Sequence, residues 1–333
     1  MISVIIPVYN ASKTLDRCMQ ALIDSEFPNN KYEIIVVDDC STDRSLEIAR
    51  TYTCKTFSTP QNSGAAVARN YGSMQAAGDI LFFIDSDVLV EPDVLKKIDE
   101  KFSKSPHIDA IVGAYRSRQP NNDFFSLYQT AFTFYNHEQC AEGQIFWFWG
   151  ACGSIKREVF EKIGRFDEKY SGAGAEDIEL GYDLSNQGYT IELDKSISVV
   201  HSHKHTFSSI IRNNLKKSSE WCTLFLTKNK ANKYKHGFTS FRNGFSIILT
   251  WITFLFLILY FAEFNTLFWV SLSLSGLLII NFRYYRFMYN EFGKCFLIKG
   301  IFFHWLTYFF IGAGIIIGIY KYFFKFNANI AEE

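Results

Sequence analysis

Proline is scarce in this chain and confined to one end. Only six occur in 333 residues, all within the first 120, whereas the residues beyond about 240 are rich in Phe, Ile, Leu and Tyr and poor in charge. A net charge is missing as well. The 34 Lys and Arg balance 34 Asp and Glu, which removes any global pull toward a polyanion, so no nucleic-acid partner is expected. The seven cysteines form no CxxC pair and no even framework. That excludes a secreted disulfide scaffold and argues for reduced thiols facing a cytosol. No signal peptide is expected ahead of Ser3, because the chain opens directly into SVIIPVYN. A soluble chain of this length would hold one large domain or two, but the segregated composition hides two regions of different character.

The first region alternates strands with helices. SVIIP is a short apolar run, as expected of a strand buried on both faces. Ser12 can cap a helix with Leu15, Cys18, Met19 and Leu22 on one side. EIIVV (33–37) reads as a second strand, followed at once by Asp38 and Asp39. Helices are expected over 41–51, with Leu46, Ile48 and Ala49 inward, over 64–77 and over 92–103, with the strand DILFFID between the last two. The fold class is therefore α/β, with a mostly parallel sheet, helices on both faces and right-handed crossovers. Ligands of such sheets sit at the carboxyl ends of the strands. Those ends carry 7–10, Asp38 with Asp39, and Asp85 to Asp87.

From about residue 204 the character changes. Residues 204–243 are basic, and then 244–262 and 264–282 carry no charged side chain. Each is long enough to cross hydrocarbon at ~20 residues per crossing, and only Glu263 separates them, so a tight hairpin is expected. A third stretch, 300–320, has His304 as its one ionisable side chain, and 323–333 is a short tail. The basic segment and Arg283, Arg286 and Lys294 would mark the cytoplasmic side. The expectation is a multi-pass protein of the cell membrane, with membrane lipids as partners and the first region on the cytoplasmic face.

The chemistry starts from FFIDSDV (82–88). Two carboxylates one residue apart at a strand end repel each other unless something neutralises them. A divalent cation would, and oxygen ligands suit Mg²⁺ or Mn²⁺, which also bridge phosphate oxygens. A pair of solvated turn carboxylates is the bland alternative. No GxGxxG follows a strand and no lysine phosphate loop is present, so a diphosphate would be held by metal and isolated basic side chains.

SVIIPVYN, VVDDCSTD, NSGAAVARNYG, FFIDSDV, GACGSIKREVFEKIGRFDE and GAEDIELGYDLSNQGY occur in that order. In this the chain resembles the family 2 inverting glycosyltransferases of the GT-A fold, over roughly residues 1–215. The resemblance implies a nucleotide-diphosphate sugar donor, with UDP-sugars favoured. Pro7, Val8, Tyr9 and Asn10 would line the nucleoside pocket, with Tyr9 against the base. Asp39 would accept a hydrogen bond from the base, and Gly64 and Arg69 would approach the nucleotide. Asp85 and Ser86 would lie near ribose and metal, with Asp87 the direct metal ligand. Asp177 would be the general base, with Glu176 beside it, unless both merely complement a helix N-terminus. His201 would complete the metal site in preference to His203. Trp147 and Trp149 are half core, and one of them would be an acceptor contact. Cys40 and Cys152 stand where relatives often have Gly and Asn.

Competing readings remain open at this point. FFIDSDV also fits the nucleophile motif of haloacid-dehalogenase-type phosphatases, which leaves VVDDCSTD unexplained. A scaffold that only binds nucleotide sugar is a second rival. Among glycosyltransferases, no QxxRW motif marks a processive synthase. An enzyme that extends a glycan, with a lipid-linked glycan as acceptor in cell-surface polysaccharide biosynthesis, fits better than a polyprenyl-phosphate sugar synthase. Residues 207–221 place Phe207, Ile210, Ile211 and Leu215 at helical spacing. They read either as an interfacial helix or as a core-packing one. GAGIIIG (312–318) is a small-residue helix-packing face.

Overall fold

The computed structural model describes residues 1–170, 174–228 and 240–330, the last six of these by backbone only. The expected basic segment 204–243 and tail 323–333 lie partly outside the described residues. The chain divides into two compact units, Met1–Lys204 and His205–Glu333. The first therefore ends 11 residues before the expected 215, because the helix that follows packs within the second unit.

The first unit runs β1 (Ile2–Val8), α1 (Leu15–Ile23), β2 (Tyr32–Asp38), α2 (Ser45–Ala49), β3 (Lys55–Ser58), α3 (Ala65–Gln75), β4 (Ile80–Ile84), β5 (Val88–Val90), α4 (Val94–Lys104), β6 (Ala110–Tyr115), α5 (Phe124–Glu138), β7 (Gly143–Ile145), β8 (Cys152–Lys156), α6 (Arg157–Ile163), α7 (Glu176–Asn186) and β9 (Ile191–His201). One mixed sheet joins them in the order β3-β2-β1-β4-β8-β6-β9-β5, with β7 on β9. The first four strands are parallel; β8 runs antiparallel to both β4 and β6. Every residue of β1 is buried, which is why its sequence shows an apolar run and not alternation. On one face, Phe82 and Ile84 join the core formed with Leu15, Cys18, Met19 and Leu22 of α1. On the other, Phe83 packs on Phe148, Phe160 and Phe166 at centroid distances of 5.1–6.4 Å.

Two local details differ from the sequence expectation. Helix α1 starts after Thr14, not at Ser12, whose N–H instead donates to Asp43 Oδ2 at 3.0 Å. Helix α2 is only Ser45–Ala49, because Asp43 captures the N–H and hydroxyl of Ser45 and competes with helix formation upstream.

The second unit is helical: α8 (Phe207–Lys228), α9 (Phe241–Phe261), α10 (Leu267–Ile280), α11 (Phe282–Phe292) and α12 (Lys294–Ile330). Helices α9 and α12 (over Lys294–Phe324) are each long and apolar enough to cross a membrane. The expected second span breaks at Asn281, where α10 and α11 meet at 64°. Helix α12 continues where a tail was expected. A buried hydrogen bond from Thr253 to Ser273 (2.8 Å) ties α9 to α10.

The small-residue face of α12 receives α8. A Cβ on Gly318 would lie 2.5 Å from Ser219 O and 2.8 Å from Cys222 Cβ; one on Gly314 would lie 2.0 Å from Ser218 Oγ. Only glycine allows this approach. Gly318→Leu should push α8 off α12 at a cost of about 1–3 kcal/mol and accelerate maleimide labelling of half-buried Cys222, followed by peptide mass spectrometry. Gly244→Ala, with nothing within 4 Å of the added carbon, serves as the control. Equal labelling of both variants and parent would show that the contact does not hold α8.

Candidate active site

Strands β2, β1 and β4 are parallel neighbours, so the residues following them emerge at one edge. After β1, Pro7 and Val8 still pair with Val37 and Asp38 inside the sheet. Tyr9, 51% exposed, is open to solvent, as is Asn10. Asn10 knits this edge to the loop after β2: its N–H donates to Ser41 Oγ (2.9 Å) and its Oδ1 accepts from Thr42 N (2.8 Å). Asn10 and Cys40 both hold left-handed backbone, with φ of +51° and +59°. That conformation favours glycine, a physical reason for glycine at the position of Cys40.

Asp39 is buried and saturated. Its carboxylate accepts from Thr59 Oγ1 (2.7 Å), Ser63 N (2.9 Å) and Gly64 N (2.7 Å). It therefore frames the loop that enters α3, where Gly64 adopts φ of +95°. Asp38, to which sequence reasoning gave no role of its own, is also buried, and its Oδ1 has no hydrogen-bond partner.

Arg69, on α3, points into the protein. Its side chain is 5% exposed and bridges Asp85 Oδ1 (Nη2, 2.7 Å) and Glu176 Oε1 (Nη1, 3.0 Å). It thus joins the end of β4 to the start of α7, reaching Glu176 from 107 residues away along the chain. Burial opposes its charge, but Asp85 and Glu176 outweigh that and raise its pKa. Gly150 makes room: a Cβ there would lie 2.9 Å from the guanidinium carbon. Glu176 is also held by Gly174 N–H on Oε2 (2.9 Å). Asp177, half-buried, accepts from Gly150 N (3.3 Å) and Ile178 N (2.8 Å).

Asp85 is pushed above the usual carboxylate range by burial and the nearby Asp87, against the pull of Arg69. Ser86 lies half-buried in the turn between them. Asp87 carries two histidines. His203 Nδ1 lies 3.0 Å from Oδ2, and His201 Nε2 lies 3.4 Å from Oδ1. That Oδ1 is buried without a hydrogen bond of ordinary length. Burial opposes ionisation of Asp87, but His201 and His203 outweigh it and hold the carboxyl well below its usual range. The same contact raises the pKa of His203.

Behind His201 sits Tyr115, at the end of β6 and absent from the sequence reading. Its ring stacks on His201 at 5.0 Å and meets Trp149 edge-on at 4.1 Å. Burial, then Asp85 and Asp87, raise its hydroxyl pKa well above the ordinary value. The structure turns Trp147 inward, 5% exposed beneath Gly181 of α7. Trp149 is half-buried and packed on His137 at 4.4 Å. Neither is an open platform.

Among the described residues, no group of three or more His, Cys, Asp or Glu forms a complete metal cage. Asp87 Oδ1 and His201 Nε2 nevertheless fit one edge of a divalent site: an oxygen and an imidazole donor face each other, and the oxygen lacks a proton donor of ordinary length.

Residues 3–164 match the family model described as Glycosyl transferase family 2. The chain is 26% identical over 249 residues to validoxylamine A glucosyltransferase of Streptomyces hygroscopicus subsp. jinggangensis, covering 64% of this chain and 59% of that protein. It is 37% identical over 110 residues to poly(ribitol-phosphate) beta-N-acetylglucosaminyltransferase TarS of Staphylococcus aureus, covering 30% of this chain and 19% of that one. The chain thus spans less than two thirds of these relatives. Among solved structures, mannosyltransferase PcManGT from Pyrobaculum calidifontis, in complex with GDP-Man and Mn²⁺, is similar with a TM-score of 0.61 and 18% identity, over 97% of this chain and 87% of that one. TarS 1–349 of S. aureus gives 0.50 and 20% identity, over 68% and 66%. At these identities the structures establish the fold.

Proposed function

Since the first unit carries a family 2 glycosyltransferase domain of the GT-A fold, we propose that this chain transfers a sugar, with inversion, from a nucleotide-diphosphate sugar to an acceptor hydroxyl. The observation that carries this reading is the buried bridge Asp85–Arg69–Glu176, which brings the Asp-x-Asp turn and the acidic start of α7 to one place.

Tyr9 is the exposed ring on which the base stacks, and Asp39 shapes the pocket wall through the loop 59–64. Asp87 and His201 would hold a divalent cation, Mg²⁺ or Mn²⁺. When bound, that ion supplies positive charge to the departing nucleoside diphosphate. His203 fixes the second Asp87 oxygen, and Tyr115 holds the His201 ring. Arg69 is a strut, not a nucleotide contact, because both its terminal nitrogens are taken by carboxylates. Asp177 is the base. Glu176 beside it is buried and held by Arg69 and Gly174, whereas Asp177 is half-buried, and a carboxylate there is the group that takes the acceptor proton. A phosphatase reading would need Asp85 as nucleophile; it is instead paired with Arg69 at 2.7 Å.

The second unit anchors the enzyme. Helices α9 and α12 cross the membrane, α10 returns, and Arg242, Arg283, Arg286 and Lys294 face the cytoplasm, where the donor is found. Such an anchor helps most if the acceptor is a lipid-linked glycan of cell-surface polysaccharide synthesis, since both partners then search in two dimensions.

Calorimetry with UDP-, GDP- and dTDP-sugars should show binding that strengthens with Mn²⁺, UDP-sugars first. Asp87→Ala should lose the Mn²⁺ enhancement and all turnover. Equal binding with EDTA and with Mn²⁺ in the parent would overturn the metal assignment. A phospho-enzyme trapped on Asp85 would overturn the reaction class.

A further inference from the structure

We propose that α11 lies in the plane of the membrane and docks on anionic phospholipid headgroups through Arg283 and Arg286. The inference rests on the reading that the second unit is membrane-embedded, and it assigns α11 a surface which that reading leaves open.

The sequence shows one uncharged stretch through residue 282; the structure breaks it. Helix α10 has 14 residues, about 21 Å at 1.5 Å per residue, short of a ~30 Å hydrocarbon core. The chain then turns by 64° into α11. The turn is built, not frayed. Asn281 is fully buried, and its Nδ2 donates to Ser246 Oγ of α9 (2.8 Å) and to Leu277 O of α10 (3.1 Å). The far side of α11 is pinned to α12. Tyr285 Oη lies 3.1 Å from His304 Nδ1, and Met288 packs where a Cβ on Gly300 would come within 2.9 Å.

These contacts sort the faces of α11. Tyr284, Tyr285 and Met288 are buried. Phe282, Arg283, Arg286, Tyr289 and Asn290 are exposed, with Phe282 at 62% and Tyr289 at 52%. Two arginines between two aromatic rings match the headgroup layer, where rings sit at the acyl boundary and guanidinium groups meet phosphate. The alternative, α10 and α11 as one broken span, would carry both arginines into hydrocarbon at roughly 10²-fold in partitioning apiece. With α10 near the membrane normal, the 64° bend lays α11 close to the plane instead. The only acidic side chain on α11, Glu291, is half-buried rather than on the exposed face, so the charge presented is positive. It complements phosphatidylglycerol-type headgroups.

The test uses the full chain in nanodiscs, with exposed Cys295 replaced by serine. Spin labels at Arg286→Cys, Tyr289→Cys and, in mid-helix α9, Leu255→Cys report depth from oxygen and nickel-chelate accessibility. Label 255 should sit deep, and labels 286 and 289 at the phosphate level. Deep values at 286 and 289 with 255 also deep would make α10–α11 a broken span and overturn the proposal. Water-like values at 286 and 289 alone would overturn it too. A water-like value at 255 would instead overturn the membrane reading beneath it. Independently, the phosphatidylglycerol-to-phosphatidylcholine ratio carried through purification should fall roughly fivefold per arginine in Arg283→Gln and Arg286→Gln. An unchanged ratio in the double variant would overturn the anionic-headgroup assignment.

Discussion

Arg69→Met is expected to destabilise the first unit by about 3–5 kcal/mol, the usual cost of removing one member of a buried ion pair. The guanidinium is 5% exposed and stacked 5.5 Å from the Phe166 ring, with Asp85 and Glu176 on its two terminal nitrogens. Methionine fills similar space but leaves Glu176, 4% exposed, as an uncompensated buried charge. For a unit of this size the loss corresponds to a melting shift of roughly 6–20 °C. Tryptophan fluorescence during heating should read it, since Trp149 lies next to Gly150, under which Arg69 passes. The double variant Arg69→Met/Glu176→Gln should recover part of the loss, because a neutral amide is far cheaper to bury than a carboxylate. Arg69→Lys should fall between, with one point charge in place of a two-pronged donor. Parent-like melting of Arg69→Met would mean that the bridge contributes nothing to stability.

Much of the first unit was legible in the sequence because local signals and global fold agree there. The four inward residues of α1 are the four that its spacing marks, and the polar clusters after β1, β2 and β4 do share an edge. What was not legible depends on partners distant along the chain. Strand β8 enters between β4 and β6 antiparallel to both, and no short window of sequence encodes that placement. The direction of Arg69 is decided by Gly150, 81 residues later, whose missing Cβ leaves the space the guanidinium fills. Tyr115 looks like an ordinary strand residue until β6 is seen to end beside His201. In the second unit, a single Asn in an uncharged run gives no sign of a bend. The break at Asn281 comes from a hydrogen bond to Ser246, 35 residues away.

Asp177→Asn is expected to lower transfer by ~10²–10⁴-fold, the range for loss of a general base, while leaving nucleotide-sugar affinity nearly unchanged. A sugar hydroxyl attacks well only as its proton leaves, and Asn cannot accept that proton. The substitution is otherwise mild. Gly150 and Ile178 N–H donate to different oxygens of the carboxylate, so the single amide oxygen keeps one of these bonds and gives up the other. The competing role is electrostatic. Glu176, Asp177 and Glu179 crowd the first turn of α7, where negative charge complements the helix dipole by about 0.3–1 kcal/mol. Two magnitudes therefore separate the roles: the base role predicts a large fall in kcat with little change in melting, and the dipole role predicts a slight fall in melting with parent-like kcat. Glu176→Gln gives the contrast, because Glu176 is the partner of Arg69 and its loss should appear first in stability. Calorimetric donor titration, product release under saturating donor and thermal unfolding of the same preparations measure all three quantities. Parent-like turnover by Asp177→Asn would remove the base from this residue and leave α7 with a purely structural acidic start.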